Sequence, residues 1–291
     1  MHARSVGKLL LCALAVVLLV GWGTSRRAPS GELRITFLDV GQGDGAVIET
    51  PSHKVVVVDT GGLLENGDDE GRRVVAPFLR YRGINRIDLL VLSHPHADHI
   101  GGAATLLHRF PVGLLMDNGE PEDSPLVTQI LTLAHQDHVP YVAAHRGQTI
   151  DFGDGVTAQV LSPTAEEAQG PANDASVVLR LRYGRTAFLL TGDAEAPEEE
   201  DMLRSGQPLA CDVLKVCHHG SDTSTTPAFL AAAHPHIALI SVGAHNVYGL
   251  PGPKVIERLK ASGTRVYRTD MNGALTCLSD GVSVHAEPML P

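Results

Sequence analysis

The chain has 291 residues, of which 43% are hydrophobic and 19% charged, and this composition excludes a disordered or fibrous protein. The formal net charge is −10, and beyond residue 31 there are 19 basic against 33 acidic side chains. This acidity argues against a global cationic clamp for extended nucleic acid, although a local patch or a metal site can still hold phosphate.

The first 30 residues are typical of an export signal. Basic residues precede an apolar run that begins at Leu9 and continues through Gly23. The run is shorter than the roughly 20 residues that span a bilayer, so a cleaved signal is favoured over a membrane anchor. We predict a signal peptide or anchor with a short linker over 1–30 and a single domain over 31–291. The domain is expected to be extracytoplasmic: periplasmic, secreted, or anchored to the outer face of the cytoplasmic membrane through residues 9–23.

The first half of the domain alternates apolar strand-like runs with segments of helical periodicity. Strands are predicted over Leu33–Leu38, Ala46–Glu49, Val55–Val58, Leu89–Leu92, Val112–Met116 and Tyr141–Ala143. Helices are predicted around Val74–Leu79, Ala103–Leu107 and Leu126–Leu133.

The second half repeats this order of elements. Strands are predicted over Thr157–Leu161, Val177–Leu181, Ala187–Thr191, Val213–Val216 and Ile237–Val242, and a helix over Lys254–Ala261. Two comparable halves of strands and helices predict an α/β protein in which two mixed sheets pack face to face with helices outside. This arrangement is a four-layer αββα sandwich.

A histidine-rich segment directly follows the strand that ends at Leu92. It places four potential metal ligands, His94, His96, Asp98 and His99, within six residues. In an extended segment His94 and His96 point to the same side, whereas a helix beginning near Asp98 turns the last two ligands towards a second point. Two adjacent metal positions follow. Imidazole and carboxylate ligands suit Zn²⁺, Mn²⁺ or Fe, and the spacing does not choose among them.

Three other segments at strand ends offer further ligands. Asp193 follows an apolar strand and can bridge both ions. His218 and His219 follow the next strand, and we favour His219 as the ligand with His218 in support. The Asn173-Asp174 pair precedes another strand and fits a simple loop equally well.

The segment His94-x-His96-x-Asp98-His99 resembles the signature of the metallo-β-lactamase fold superfamily. Within it, the chain from about Leu33 to His285 is similar to the extracytoplasmic hydrolase domain of ComEC-type DNA-uptake proteins and their stand-alone relatives. The motifs that carry this resemblance are Asp39–Asp44, Val58–Gly61, Asn173–Ser176, Thr191–Asp193, His218–Ser221, Ser241–Gly243 and Asn246–Gly249. One position departs from the pattern: Leu250 stands where these relatives usually have histidine, which concerns substrate choice or turnover but not the metals.

The resemblance implies that Asp174 is a carboxylate ligand of the first metal and that Asp59 orients a ligating histidine. The expected metal ligands are His94, His96, Asp98, His99, Asp174, Asp193 and His219. Asp98 and Asp193 are also expected to act in catalysis by polarising water. Side chains expected to support the ligands or to contact substrate are Asp39, Asp44, Asp59, Asn173, Lys215, His218 and Ser221.

Two divalent ions, Zn or Mn, would give a bridging hydroxide that is nucleophilic at neutral pH and would hold a phosphoryl oxygen. We therefore predict a metal-dependent hydrolase, most simply a phosphodiesterase or nuclease-like enzyme. The acidic body favours a small or short phosphoester, with single-stranded DNA as a further candidate. Two alternatives stay open: hydrolysis of a carbonyl ester, lactone, lactam or envelope phosphocholine ester, and a metal-binding module that has lost turnover.

Overall fold

The computed structural model describes residues 31–119, 124–164 and 175–290. The predicted amino-terminal signal, Asn173 and Asp174 lie outside these ranges. None of the helices in the described parts of the chain has the length and hydropathy that a bilayer-spanning segment requires.

Fifteen strands in the described ranges form two sheets. They are β1 (Leu33–Phe37), β2 (Ala46–Glu49), β3 (Val55–Val58), β4 (Leu89–Val91), β5 (Leu115–Asp117), β6 (Tyr141–Ala143), β7 (Thr149–Asp151), β8 (Val156–Ser162), β9 (Val178–Tyr183), β10 (Thr186–Leu190), β11 (Val213–Lys215), β12 (Ile237–Ile240), β13 (Arg265–Arg268), β14 (Leu275–Ser279) and β15 (Val284–Pro288). One sheet has the order β15-β14-β1-β2-β3-β4-β5-β6 and the other β13-β12-β11-β10-β9-β8-β7. Both are mixed, with parallel pairing from β3 to β6 and from β10 to β13.

The helices lie between these strands in sequence. They are α1 (Ala76–Tyr81), which continues a π-helical segment over Gly71–Val75, α2 (Ala97–Ile100), α3 (Ala103–Arg109), α4 (Pro125–Gln136), α5 (Ala196–Arg204), α6 (Pro227–Ala233), α7 (Pro253–Ala261) and α8 (Thr269–Asn272). A short 3₁₀ segment covers Cys217–Gly220.

Three apolar clusters fill the spaces between the layers. The central cluster joins the inner faces of the two sheets and includes Phe37 and Phe188. A second packs β3, β4 and β5 against α1, α3 and α4, and a third packs β10, β11 and β12 against α5, α6 and α7. Successive residues of one strand point to opposite faces of the sheet and so belong to different clusters, as Leu90 and Val91 of β4 do. The four-layer αββα sandwich predicted from the sequence is confirmed.

The topology brings loops from both sheets to one edge of the sandwich. The parallel pairs β3–β4 and β10–β11–β12 end in segments that carry Asp59, Ser93, Asp193, Cys217 and Ser241. A backbone hydrogen bond joins the two sheets at this edge: the N–H of Val177 donates to the Ser93 carbonyl over 2.8 Å. Polar side chains from distant parts of the chain therefore meet at this edge.

Candidate metal centre

Asp59 and Ser93 organise the first histidines. The Asp59 carboxylate is buried and accepts hydrogen bonds from the Ser93 N–H and hydroxyl, each over 2.7 Å, and from His99 Nδ1 over 2.9 Å. Burial raises the pKa of Asp59 above its usual value. Asp59 itself has a φ of +58°, a left-handed conformation that the surrounding contacts must hold.

This network also fixes which nitrogen of His94 carries a proton. The single hydroxyl proton of Ser93 is donated to Asp59, so Ser93 Oγ must accept from His94 Nδ1, 3.0 Å away. The lone pair of His94 is therefore on Nε2, which is buried and has no hydrogen-bond partner. Burial, reinforced by the neighbouring His99, lowers the pKa of His94 well below its usual value. A neutral imidazole with a free buried lone pair is suited to bind a metal.

Asp193, three residues beyond β10, is the meeting point of the site. Its carboxylate is buried, with Oδ1 3.2 Å from His99 Nε2 and Oδ2 3.3 Å from His219 Nε2. His94 Nε2 is 3.9 Å from Asp193 Oδ2. The Ser176 hydroxyl accepts a 3.2 Å hydrogen bond from the Asp193 N–H and steadies this loop.

His219 is presented by an unusual turn after β11. His218 and His219 have φ values of +46° and +51°, so the chain reverses sharply and His219 turns inwards. Its Nδ1 donates to the Ser241 carbonyl over 2.9 Å, which leaves Nε2 facing Asp98 and Asp193 at 3.3 Å from each. The Nε2 atoms of His99 and His219 are only 3.3 Å apart.

This donor set fits a divalent cation. The Nδ1 atoms of His99 and His219 both donate hydrogen bonds, so in the neutral rings the lone pairs are on the Nε2 atoms. These two Nε2 atoms face each other, and their lone pairs repel unless a positive charge lies between them. Asp98, His99, Asp193 and His219 each offer a ligand atom within 4.8 Å of the others. Burial alone would lower the pKa values of both imidazoles, but Asp193 and neighbouring carboxylates raise the pKa of His219 to about 9 and hold that of His99 well above its usual value. The carboxylates thus favour positive charge at this point.

The two carboxylates at the centre carry negative charge despite burial. Burial opposes ionisation of Asp193, but His219 and His99 hold its pKa well below the usual value. Asp98 behaves in the same way: burial opposes its ionisation, but the hydrogen bond with His219 and the charges of His99 and His219 together lower its pKa. The Asp98 side chain is 36% exposed, whereas that of Asp193 is 3% exposed. Asp98 therefore faces the open side of the site.

Lys215 was expected to support the ligands or to contact substrate, and its position fits a supporting role. Its ammonium group is buried, pairs with the Asp44 carboxylate and donates to the Gly192 carbonyl over 2.9 Å. Burial opposes its charge, yet Asp44 and Asp193 raise the pKa of Lys215. The side chain therefore offsets part of the charge of the buried carboxylates.

The other expected residues lie around this centre in different settings. His96 is exposed, and its ring centroid is 4.7 Å from that of His94. His218 is 25% exposed, with its Nδ1 2.8 Å from Glu195 Oε1 and its Nε2 3.7 Å from Asp193 Oδ2. Asp39 is exposed and accepts from the Gly41 N–H over 3.2 Å, so it stabilises its own turn.

Two further expected positions lie in loops near the His218-His219 turn. The Ser221 hydroxyl is 2.8 Å from that of Thr223. Leu250 packs partly against the apolar cluster outside the second sheet, and its backbone is held by Asn246, whose side chain bonds both the N–H and the carbonyl of Leu250. An apolar side chain therefore fits at position 250.

Several residues whose structural roles the sequence did not indicate support the centre from behind. Ser93 follows β4 and Ser241 follows β12, positions at which strand ends already suggested functional residues. Glu195 and Glu199 belong to an acidic stretch with no recognisable pattern. Glu199 is buried on α5 and accepts from the N–H groups of Thr225 and Thr226, the latter over 2.8 Å.

Comparison with known proteins agrees with this arrangement. The sequence profile of the Metallo-beta-lactamase superfamily matches residues 38–245. The chain belongs to the metallo-β-lactamase superfamily.

Its curated relatives confirm the resemblance to ComEC-type proteins. The chain is 35% identical to ComE operon protein 3 of Bacillus subtilis, over 84% of this chain and 33% of that protein. It is 33% identical to Competence protein ComA of Neisseria gonorrhoeae, over 90% of this chain and 35% of that protein. It is 32% identical to Recombination protein 2 of Haemophilus influenzae, over 82% and 28% respectively. The chain therefore spans about a third of the length of the curated relatives that it matches.

Solved structures support the fold. The metallo-β-lactamase fold protein YhfI from Bacillus subtilis aligns with a TM-score of 0.55 at 14% identity, covering 85% of this chain and all of YhfI. PqqB from Methylobacterium extorquens, described as Zn²⁺-bound, aligns with a TM-score of 0.53 at 11% identity, covering 84% of this chain and 99% of PqqB. At these identities the similarity shows a shared fold.

Replacing Asp59 with asparagine should weaken zinc binding about 10–100-fold. The Ser93 N–H fixes the amide oxygen at the present Oδ1 position, so the amide nitrogen would face His99 Nδ1. Nδ1 would then accept, and the proton would move to Nε2, where it blocks the lone pair. Competition with a chelating dye measures the affinity. Asp137→Asn, at an exposed position after α4, is the control and should leave the affinity unchanged.

Replacing Glu199 with alanine should destabilise the protein by about 2–4 kcal/mol, because two N–H groups of the turn at Thr225 and Thr226 lose their acceptor. Urea unfolding followed by circular dichroism measures the change. Glu200→Ala on the same helix removes an exposed carboxylate paired with Arg204 and should change stability by less than about 0.5 kcal/mol. Equal losses in the two variants would contradict the anchoring role.

Proposed function

We propose that the protein is an extracytoplasmic phosphodiesterase, nuclease-like in chemistry, that depends on two divalent ions, Zn or Mn, and acts on a small or short phosphoester. The main support is the convergence of Asp98, His99, Asp193 and His219 at one point, with ligand atoms within 4.8 Å of one another. Two ions at one centre suit in-line displacement at phosphorus.

The residues divide into two ligand sets that share Asp193. His94 and His96 would hold one ion with Asp193, and the family resemblance adds Asp174, which lies outside the described residues. The remaining ligands of the second ion would be Asp98, His99 and His219. Divalent ions bound there lower the pKa of water and neutralise charge on a phosphoryl group.

The chain's own residues prepare this chemistry. Asp59 keeps a proton on His99 Nδ1, and the Ser241 carbonyl does the same for His219, so both Nε2 atoms are presented as ligands. The ionised Asp98, the more open carboxylate, is placed to accept a hydrogen bond from an attacking water. Lys215 offsets part of the buried negative charge around Asp44 and Asp193.

The relatives support a nucleic-acid context for this activity. Two of them are ComE operon protein 3 and a competence protein, and another is a recombination protein, and each matches most of this chain. Single-stranded DNA is therefore the polymeric substrate to examine first. The apolar run over residues 9–23 supports the extracytoplasmic location.

The test uses the purified full-length chain with Zn²⁺ or Mn²⁺. We expect about two metal ions per chain by elemental analysis, and metal-dependent cleavage of bis-p-nitrophenyl phosphate that His96→Ala and Asp193→Ala abolish. Parallel assays with a short single-stranded oligonucleotide set the substrate size. Bound metal with no phosphodiester cleavage would reject this proposal and favour a carbonyl-ester hydrolase or a module without turnover, for which Leu250→His is the next variant.

A further inference from the structure

A cavity of about 300 Å³ adjoins the metal centre on the side of His94 and His96. It lies between the loop that carries these histidines and α4. Two of the proposed metal ligands, His94 and His96, form part of its wall. A substrate group that occupies the cavity would therefore lie next to the phosphoryl group at the metal centre.

The wall of this cavity is largely apolar. Leu92 and Ile100 contribute from the histidine loop and α2, and Val127, Ile130 and Leu131 contribute from α4. The spacing of three and four residues places the α4 side chains on one face of the helix. Val127 and Leu131 are only half-buried, so apolar surface of these residues borders the cavity.

The side chains around the cavity favour a neutral occupant over a phosphate. Among the described residues that line it there is no lysine or arginine, and Asp117 is the acidic member. The Asp117 carboxylate accepts from the Tyr141 hydroxyl over 2.7 Å and from the Gly119 N–H over 2.8 Å. Beside Asp117, an anionic group would meet a negative charge with no lysine or arginine among the described lining residues to offset it. A neutral group would instead bury apolar surface there.

We propose that this cavity, the α4 pocket, binds a neutral, ring-sized apolar group attached to the phosphoryl group of the substrate. Its volume is at the lower end of the roughly 300–1,000 Å³ typical of ligand sites, so it accommodates one ring and not a length of polymer. A nucleobase and a simple aryl group share this chemistry. The inference rests on the proposed function, since it assigns part of that substrate.

Binding tests the pocket without turnover. By calorimetry on the Zn²⁺-loaded full-length protein, phenylphosphonate should bind at least about tenfold more tightly than methylphosphonate. Val127→Glu should remove most of this preference, while Thr128→Glu, which adds the same charge at the next, exposed position, should keep it. Equal affinities in the wild-type protein, or a preference that survives in Val127→Glu, would overturn the proposal.

Kinetics separates this inference from the proposed function. Methyl p-nitrophenyl phosphate and bis-p-nitrophenyl phosphate share a leaving group and a charge, so the ratio of their kcat/KM values reports the second substituent. The pocket predicts a ratio that favours the diaryl ester and falls in Val127→Glu alone. Thymidine 5′-(p-nitrophenyl phosphate) in the same series distinguishes a nucleobase from an aryl group. If neither diester is cleaved, the proposed function fails while the phosphonate affinities still decide the pocket.

Discussion

Replacing Asp193 with asparagine should lower the rate of bis-p-nitrophenyl phosphate hydrolysis at least about 10³-fold, since a metal centre contributes several kcal/mol and each 1.36 kcal/mol is a factor of ten. The carboxylate contacts His99 and His219 and lies 3.9 Å from His94, so it is placed to serve both proposed ligand sets. An amide has less negative charge and only one oxygen to offer. Elemental analysis of the same variant should show metal loss.

The control for this variant is Asp137→Asn, which makes the same chemical change at an exposed site. It should retain the wild-type rate and metal content. Thermal unfolding of both variants establishes that the fold is intact. An Asp193→Asn protein that is folded, metal-loaded and active within about tenfold of wild type would contradict the shared-ligand role.

Replacing His219 with alanine should lower kcat/KM at least about 10²-fold, whereas His218→Ala should lower it by less than about tenfold. The two histidines are adjacent, yet His219 Nε2 lies 3.3 Å from both Asp98 and Asp193. His218 Nε2 lies farther from Asp193, at 3.7 Å, and its Nδ1 faces Glu195. Steady-state kinetics with Zn²⁺ measures both. The pair is its own control, because each variant removes one imidazole from the same turn.

The outcome of this pair depends on the left-handed turn at His218 and His219. If the order of the two losses were reversed, the ligand would be His218 and the assignment of the second ion would fail. If both variants lost activity equally while remaining folded, the turn itself, and not one imidazole, would be the functional element.

The layered fold was predictable because its strands consist largely of apolar residues and its turns are rich in glycine and proline. β2, β3 and β6 have the bounds that the sequence predicted. The strand predicted over Val112–Met116 begins only at Leu115, because Val112 pairs with Ile87 in an isolated bridge and the chain then bends at Gly113. The first helix of the second half, α5, was missed because Met202 and Leu203 are the only large apolar residues in a segment that contains four acidic residues.

The site was predictable where ligand types cluster locally, as they do from His94 to His99. The sequence also pointed to Asp193 and His219, since both follow strands that end at one edge of the sandwich. The burial of a charged side chain could not be predicted from the sequence. Lys215 carries the charge expected of a phosphate contact, yet its position at the end of β11 places it beside Asp44 and Asp193. The roles of Ser93 and Glu199 arise from contacts between residues far apart in sequence, and no local pattern encodes them.

The most direct test of the metal centre is anomalous scattering at the zinc edge from crystals of the protein soaked in Zn²⁺. We expect two peaks that share Asp193, one beside His94 and His96 and the other beside His99 and His219. A peak confined to Asp44 and Asp59, which also lie near His99, or no peak at Asp193, would contradict the account.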